Sequence, residues 1–222
     1  MNKIKLLITA GPTYEKIDPV RFIGNYSSGK MGFALARAAA ERGAEVTLVA
    51  GPVSLPTPHE AVRRIDVESA LEMYDAAMSA FPEQDAAILC AAVADYRPAE
   101  QATSKIKRKE SEMVIRLVAN PDIAASLGAV ARTDQTLAGF ALETDNARAH
   151  AADKLRRKRL DFIVLNSLSD EGAGFRVDTN RISTLRADGS QTDFPLKTKA
   201  EVAEDIIDEL FAAIEAKRGG AQ

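Results

Sequence analysis

The sequence predicts an α/β fold: a three-layer α/β/α Rossmann-like domain around a largely parallel sheet, with an antiparallel hairpin extension. Three observations support this prediction. Short apolar segments alternate with amphipathic helical segments along most of the 222 residues. Residues 86–93 are continuously apolar, as is typical of strands buried on both faces of a parallel sheet. Near the C-terminus, residues 187–190 (Ala-Asp-Gly-Ser) indicate a hairpin turn.

The first predicted strand, the first helix and the second strand form a βαβ unit. The helix has apolar residues at helical spacing, and Gly43 ends it. Because the carboxyl end of the first strand faces the ligand crevice in such a unit, the loop that follows this strand is the first place to look for a site. The three segments are residues 4–10, 31–42 and 45–50.

The same alternation continues to the end of the chain. No internal repeat or interior linker interrupts it, so we expect a single domain over residues 1–217, followed by a disordered tail at 218–222. The remaining predicted strands are residues 62–67, 86–93, 113–118, 136–141, 161–166 and 181–185. The remaining predicted helices are residues 69–81, a helix that begins after residues 120–122, residues 146–159 and residues 199–217.

A long polar loop, residues 18–32, joins the first strand to the first helix. Small residues and bare backbone before a helix N-terminus allow a phosphate to approach closely. The loop lacks the Gly-x-Gly-x-x-Gly fingerprint of dinucleotide-binding folds, and it resembles a Walker A loop only until Met31 replaces the magnesium-binding hydroxyl. A ligand-free connection is the alternative. The predicted phosphate loop consists of Ser27, Ser28, Gly29 and Lys30.

Composition limits the classes of function. The formal net charge of -3 gives no reason to expect nucleic-acid or membrane binding. No apolar run reaches membrane-spanning length and no signal peptide is recognisable, so we expect a cytoplasmic protein. Cys90 is the only cysteine, which leaves no intrachain disulfide or cysteine-rich metal site within this sequence. The metal ligands, if any, are unknown.

Two basic clusters each allow two interpretations. Residues 105–109, called the basic segment below, follow the apolar strand and could fold over the crevice as a flap, or form a solvated charged loop. Lys154 and Lys158 lie four residues apart on one helical face. They could hold a polyphosphate, or simply complement the dipole at the helix C-terminus.

Four further residues are candidates with structural alternatives. Asp95 and Asp122 could bind a base, a ribose or a metal, but Asp122 also stands where a helix N-cap is expected. Cys90 is more typical of a small buried hydrophobic residue than of a nucleophile. Phe140 could stack on a base or fill the core. These residues favour a phosphate- or nucleotide-binding enzyme without revealing its reaction.

Seven segments of the sequence resemble the phosphopantothenoylcysteine synthetase family of coenzyme A biosynthesis, the synthetase half of a bifunctional flavoprotein. They occur in the family's order with similar spacing and cover nearly the whole chain. The segments are residues 8–13, 18–32, 91–97, 105–108, 120–123, 139–144 and 154–161.

The resemblance implies a ligase that joins 4'-phosphopantothenate to L-cysteine. The pantothenate carboxylate would attack the α-phosphate of a nucleoside triphosphate, and the cysteine amine would then displace the nucleotide. Bacterial members use CTP with Mg2+ and release CMP, whereas animal relatives use ATP. Such chemistry depends on charge neutralisation and alignment rather than on a covalent nucleophile.

The resemblance also assigns roles by motif. Asn25 is expected to contact the acyl-nucleotide and favour its conversion to the amide, with Arg21 supporting the same loop. Lys105 is expected to counter phosphate charge in the first half-reaction. The residues implied to bind the nucleotide are Leu89, Cys90, Ala91, Asp95, Lys105, Pro121, Asp122, Ile123, Ala124, Phe140, Lys154 and Lys158.

One motif departs from the family pattern, since Arg108 replaces the last lysine of a Lys-x-Lys-Lys run. A homodimer and a separate or fused phosphopantothenoylcysteine decarboxylase are expected by analogy, and the N-terminus does not tell a free-standing synthetase from an excised domain. The competing hypotheses are an NAD(P)-dependent oxidoreductase, disfavoured by the missing glycine fingerprint, and a non-catalytic nucleotide-binding module.

Overall fold

Fourteen strands and five helices make up the described part of the molecule, a computed structural model that covers residues 3–108, 112–143, 147–167 and 178–220. The strands are β1 (Lys5–Ala10), β2 (Tyr14–Lys16), β3 (Phe22–Gly24), β4 (Glu45–Ala50), β5 (Val62–Asp66), β6 (Ala86–Leu89), β7 (Tyr96–Pro98), β8 (Leu117–Ala119), β9 (Thr136–Glu143), β10 (Phe162–Ser167), β11 (Thr179–Asn180), β12 (Ile182–Arg186), β13 (Gln191–Asp193) and β14 (Lys197–Thr198). The helices are α1 (Lys30–Glu41), α2 (Ala70–Ala80), α3 (Ile123–Val130), α4 (Ala147–Lys158) and α5 (Lys199–Gly220).

One eight-stranded sheet has the order β13-β12-β10-β9-β6-β1-β4-β5. The six strands from β10 to β5 are parallel, and β12 and β13 add an antiparallel edge. Along the chain, the order of the parallel strands reverses between β1 and β6. In open α/β sheets, ligands bind beyond the carboxyl ends of the strands at such a reversal.

Helices cover both faces of the sheet because side chains along β1 alternate between them. Leu6 and Ile8 belong to the core beneath α1 and α5, whereas Leu7 belongs to the core beneath α2, α3 and α4. All three side chains are fully buried. The predicted α/β fold, with its parallel sheet and antiparallel edge, is confirmed.

Three details differ from the sequence prediction. The connection between β1 and α1 contains a hairpin, β2–β3, whose second strand lies in the long polar loop and in which the rings of Tyr14 and Phe22 stack with centroids 3.8 Å apart. The apolar run at residues 86–93 forms a strand only to Leu89, after which the backbone turns into the crevice. The strand expected at residues 113–118 is limited to β8, which pairs with β7.

The C-terminal helix is longer than expected. Helix α5 continues to Gly220, so residues 218–220 are helical rather than part of a disordered tail. Arg218 contributes to this end of the helix through an ion pair with Asp85 at 2.9 Å. Residues 221–222 and Lys109 of the basic segment lie outside the described residues.

Candidate functional site

Two cavities lie side by side where the strand order reverses. Both are lined by the backbone that leaves β6, and they share Ala91, Val93 and Phe140. The first cavity extends toward α3 and α4, and the second toward the N-terminal ends of α1 and α5. The geometry therefore provides two adjoining compartments instead of one pocket.

The shared wall is fixed by three hydrogen bonds to acceptors at the end of β1 and in the chain that follows it. The buried hydroxyls of Thr9 and Thr13 accept from the amides of Ala91 and Ala94 at 3.3 and 3.0 Å. The Gly11 carbonyl accepts from the Ala92 amide at 2.9 Å. These bonds hold the segment after β6 in place, because each buried amide has a defined partner.

The first cavity has a volume of about 360 Å³. Its lining brings together ten of the residues expected to bind a nucleotide, although they come from four separate segments of the chain. Parallel strands end at one edge of the sheet, and that placement gathers them. The ten residues are Leu89, Ala91, Asp95, Pro121, Asp122, Ile123, Ala124, Phe140, Lys154 and Lys158.

Asp122 and Lys158 form an ion pair at the mouth of this cavity. Lys158 Nζ lies 2.9 Å from one carboxylate oxygen of Asp122 and 3.1 Å from the other. The same carboxylate accepts from the Ala125 amide at 3.0 Å and so caps α3. Burial raises the pKa of Asp122, but the Ala125 amide and Lys158 outweigh it and hold this pKa below its usual value. Both interpretations of Asp122, cap and site residue, are compatible with this position.

The second cavity, of about 220 Å³, contains the predicted phosphate loop. Gly29 is the N-cap of α1 and has a φ of 75°, a left-handed conformation that favours glycine. Because glycine has no side chain, the N-cap residue itself cannot cap the first amides of α1, and amides at a helix N-terminus attract anions. All four residues of the loop, Ser27, Ser28, Gly29 and Lys30, line this cavity.

Lys199 lies on the floor of the second cavity and is only 8% exposed. Burial, reinforced by the positive charge of Lys30, lowers the pKa of Lys199, while Asp178 and Cys90 oppose that shift. Lys30 itself contacts Asp178 at 2.6 Å. A buried lysine close to the N-terminus of α1 makes this compartment suited to an anion.

Two asparagines complete the floor of the second cavity. The side-chain oxygens of Asn166 and Asn180 are buried and have no hydrogen-bond partner among the residues that the structure describes. Because a buried polar atom without a partner is destabilising, a ligand that supplies the missing bonds would be favoured here. Cys90 also lines this cavity rather than the first, and burial raises the pKa of its thiol to about 12.

Asn25 hydrogen-bonds to the backbone that lines the second cavity, although it is not itself among the described residues that line either cavity. Its Nδ2 donates to the carbonyls of Ala92 and Val93 at 3.0 and 3.3 Å, and both acceptors belong to residues that line the second cavity. Asn25 follows directly after β3, so the hairpin determines its position. It is exposed, which leaves its amide accessible to a ligand.

Arg21 and Lys105 are placed differently from the cavity residues. Arg21 contacts Asp18 and donates to the carbonyl of Ile106 at 2.9 Å, so it supports the basic segment as well as its own turn. Lys105 is exposed and is not among the described residues that line either cavity. Its expected role at the nucleotide phosphates stays a prediction.

Sequence reasoning did not identify Asn166, Asn180 and Lys199 as site residues. Each lies at the end or start of a structural element for which the sequence predicted no ligand contact. The signal available in the sequence was weak, namely an asparagine that ends an apolar strand and a lysine that begins an amphipathic helix.

Residues 1–214 match the model of a protein family described as the DNA/pantothenate metabolism flavoprotein C-terminal domain. The chain belongs to this family. The resemblance that the motifs suggested is thereby confirmed.

Two curated relatives are similar over most of the chain. One, named cysteine/cysteine sulfinic acid decarboxylase and from an unknown prokaryotic organism, is 54% identical over 214 residues, which are 96% of this chain and 60% of that protein. The other, the coenzyme A biosynthesis bifunctional protein CoaBC of Vibrio vulnificus, is 50% identical over 207 residues, which are 92% of this chain and 51% of that protein. The chain therefore spans between half and three fifths of these relatives.

One solved structure of a related domain matches this chain over almost the full length of both. The crystal structure of the C-terminal domain of a coenzyme A biosynthesis bifunctional protein CoaBC is 42% identical, with a TM-score of 0.82, and the match covers 97% of this chain and 100% of that domain. Among the described residues of the present structure, no helix is both long enough and apolar enough to cross a membrane.

Proposed function

We propose that this chain is a phosphopantothenate-cysteine ligase, which makes 4'-phosphopantothenoyl-L-cysteine through an acyl-nucleotide intermediate. The observation that carries the proposal is the pair of adjoining cavities with three residues in common. A reaction that joins a nucleotide to an acid needs a compartment for each reactant and a place where the two meet. The similarity to the C-terminal domain of CoaBC supports the same conclusion.

The nucleotide occupies the first cavity in this proposal. Lys154 and Lys158 meet the phosphates, while Phe140 and the turn at residues 121–124 hold the nucleoside. CTP is the expected co-substrate and ATP the less favoured alternative, with Mg2+ arriving on the triphosphate. A magnesium-nucleotide complex needs few protein ligands because the metal keeps several of its waters.

Phosphopantothenate occupies the second cavity. Its phosphate is the anion that the amides of α1, Lys30 and Lys199 would bind, and Asn166 and Asn180 offer hydrogen bonds to the polar groups behind it. The carboxylate at the other end of the molecule then points to the shared wall. This orientation brings the carboxylate toward the α-phosphate of the nucleotide.

The reaction proceeds in two steps, activation of the carboxylate and formation of the amide. A carboxylate oxygen bonds to the α-phosphorus and the bond to the leaving pyrophosphate breaks. The cysteine nitrogen then bonds to the acyl carbon, the nucleoside monophosphate leaves with the carboxylate oxygen, and the amine proton passes to solvent. Lys105 counters charge in the first step, and Asn25 orients the acyl-nucleotide in the second, supported by its contacts with residues 92–93.

A second copy of the chain is the proposed partner. The hairpins β2–β3 and β7–β8 contact each other and carry a set of exposed apolar side chains, more than an isolated surface residue would explain. Sedimentation of the purified protein tests this, and a monomer at micromolar concentration would contradict it. The exposed residues are Val20, Phe22, Tyr26, Tyr96 and Leu117. Cytoplasmic location and a phosphopantothenoylcysteine decarboxylase partner are part of the same proposal.

Pyrophosphate release tests the proposed function directly. Release should require a nucleoside triphosphate and phosphopantothenate together, and parallel assays with CTP and ATP show which nucleotide is used. An oxidoreductase would release none, a binding module would bind without turnover, and a decarboxylase would release carbon dioxide. Any of those three results would refute the ligase assignment.

Two variants test the roles of individual residues. Asn25→Asp should still release pyrophosphate but accumulate the acyl-nucleotide, which mass spectrometry detects. Lys105→Gln should suppress pyrophosphate release itself. Normal amide formation in the first variant, or normal pyrophosphate release in the second, would remove that residue from the mechanism.

A further inference from the structure

Asp18 is the most heavily hydrogen-bonded carboxylate of the loop after β1, and its side chain is fully buried. One oxygen accepts from the backbone amides of Val20 and Arg21 at 2.8 and 2.9 Å. The other accepts from Arg21 Nε and Nη2 at 3.0 and 2.5 Å, and from the amide of Ile106 at 3.1 Å. Five donors therefore converge on one carboxylate.

Both backbone polar groups of Ile106 are hydrogen-bonded to the Asp18–Arg21 pair. Asp18 accepts from its amide, and Arg21 Nη2 donates to its carbonyl at 2.9 Å. The two peptide groups of a single residue, 88 positions away along the chain from Asp18, are thus held by one ion pair. A further backbone bond, from the Ala102 amide to the Ile17 carbonyl at 3.0 Å, reinforces this attachment.

A turn alone does not require this arrangement. An aspartate at the start of a turn is satisfied by amides two and three residues ahead, which Val20 and Arg21 provide. The remaining acceptor capacity could have faced water, yet it is directed at Ile106 and buried. The turn is therefore complete without the buried bond between Asp18 and the Ile106 amide. This bond instead joins the turn to the basic segment.

The contacts of Asp18 and Arg21 with Ile106 lie next to residues expected to act in each of the two reaction steps. Ile106 is the immediate neighbour of Lys105, so fixing its backbone also fixes the Cα of Lys105, about 3.8 Å away. On the other side, Arg21 begins the short stretch that leads through β3 to Asn25. The Asp18–Arg21 ion pair thus connects Lys105, which is expected to act in the first step, to the hairpin that carries Asn25, which is expected to act in the second.

We propose that Asp18 is a positioning residue that, together with Arg21, fixes the backbone next to Lys105, from which the Lys105 side chain extends toward the nucleotide phosphates during activation. This proposal rests on the proposed function, because it assigns Asp18 an effect on the activation step. Asp18 touches no reactant itself. It acts through the backbone of Ile106.

The protonation state of Asp18 is consistent with a permanent anchor. The hydrogen bond from Arg21, aided by the backbone amides and opposed by burial, holds the pKa of Asp18 well below its ordinary value of 3.8. The carboxylate is therefore ionised at any pH at which the enzyme would work. We expect no pH-dependent release of the basic segment in the neutral range.

The first experiment measures the anchor without using activity. Hydrogen exchange of the Ile106 amide is compared between the wild type, Asp18→Asn and the control Lys16→Ala, which removes an exposed ion pair with Glu68 from the same hairpin. Losing a hydrogen bond to a charged group should accelerate exchange by at least about tenfold in Asp18→Asn. Exchange in the control should match the wild type.

The second experiment is a double-mutant cycle on pyrophosphate release. Asp18→Asn should lower kcat by about tenfold or more while changing the nucleotide KM little, because the effect falls on the activation step. In a Lys105→Gln background the same change should cost less than about twofold, since coupled residues are not additive. A merely structural role would instead reduce activity equally in both backgrounds.

The outcomes separate the two proposals. Equal loss in both backgrounds, or unchanged exchange at Ile106, overturns the role of Asp18. A wild-type protein that releases no pyrophosphate refutes the proposed function, and with it the effect on activation, even if the exchange experiment shows the anchor. If Asp18→Asn does not fold, Arg21→Gln removes the ion pair and the bond to the Ile106 carbonyl, and it should show the same non-additivity with Lys105→Gln.

Discussion

Replacing Lys158 by glutamine should weaken nucleotide binding by a moderate factor. In the free protein the Lys158 ammonium already has a partner, since it contacts both carboxylate oxygens of Asp122 within 3.1 Å. Binding a triphosphate therefore exchanges one anionic partner for another. The net loss on mutation is the difference between the two interactions and not the full strength of a lysine–phosphate contact.

The structure allows this difference to be estimated. A hydrogen bond between charged groups contributes roughly 1.5–3 kcal/mol. The existing pair is partly exposed, with 22% of the Lys158 side chain and 47% of the Asp122 side chain accessible, and such pairs contribute about 0–1 kcal/mol. The difference between these ranges is about 0.5–3 kcal/mol, and its midpoint corresponds to a roughly 20-fold higher Kd.

Isothermal titration with a non-hydrolysable CTP analogue measures the effect, and Arg156→Gln is the matched control. Arg156 lies on the same helix and is also paired with an aspartate, Asp153 at 2.9 Å, but it does not line the first cavity. The control should bind within about twofold of the wild type. Equal Kd values for Lys158→Gln and Arg156→Gln would refute the placement of the phosphates beside Lys158.

Three further predictions concern the backbone at the strand ends and the second cavity. Gly51→Ala should lower the melting temperature by roughly 3–10 °C, because the new Cβ would lie 1.7 Å from the Pro12 carbonyl oxygen, whereas Gly219→Ala, which meets nothing within 4 Å, should not. Cys90 should react slowly with a disulfide reagent at pH 8 and about tenfold faster per pH unit above it, since its pKa is raised to about 12, and phosphopantothenate should protect it; rapid labelling at pH 7 would contradict both its burial and this protonation state. Lys199→Met should raise the KM for phosphopantothenate by about tenfold with little change in the Kd of the nucleotide, and the reverse pattern in steady-state and titration data would mean that the compartments are assigned the wrong way round.

The sequence allowed the first cavity to be predicted better than the second. Residues 89–95 and 121–124 and Phe140 follow strands or open helices at one edge of a parallel sheet, so the strand pattern and the family motifs together place them near one another. The floor of the second cavity depends instead on where β10, β11 and the start of α5 meet in space. Nothing local to Asn180 or Lys199 indicates that meeting.

The sequence analysis also did not predict the hairpin β2–β3 between β1 and α1. Strands β2 and β3 have three residues each, which is too short for an alternating pattern to be recognised. They are stabilised by the stacking of Tyr14 on Phe22 across the hairpin and by long-range contacts such as the hydrogen bond from the Tyr14 amide to the Glu68 carbonyl at 2.8 Å. Lys105 shows the limit of motif reasoning in another way, because its motif is recognisable while its side chain lies outside both cavities.

The wall that the two cavities share has a consequence for ligand design. A compound that joins a nucleoside to a pantothenate-like acid through a non-reactive linker would pass Ala91, Val93 and Phe140 and fill both spaces together. Such a bisubstrate molecule loses its translational freedom once instead of twice, so its affinity can exceed that of either half by orders of magnitude. The junction, and not either pocket alone, would then determine selectivity for this protein.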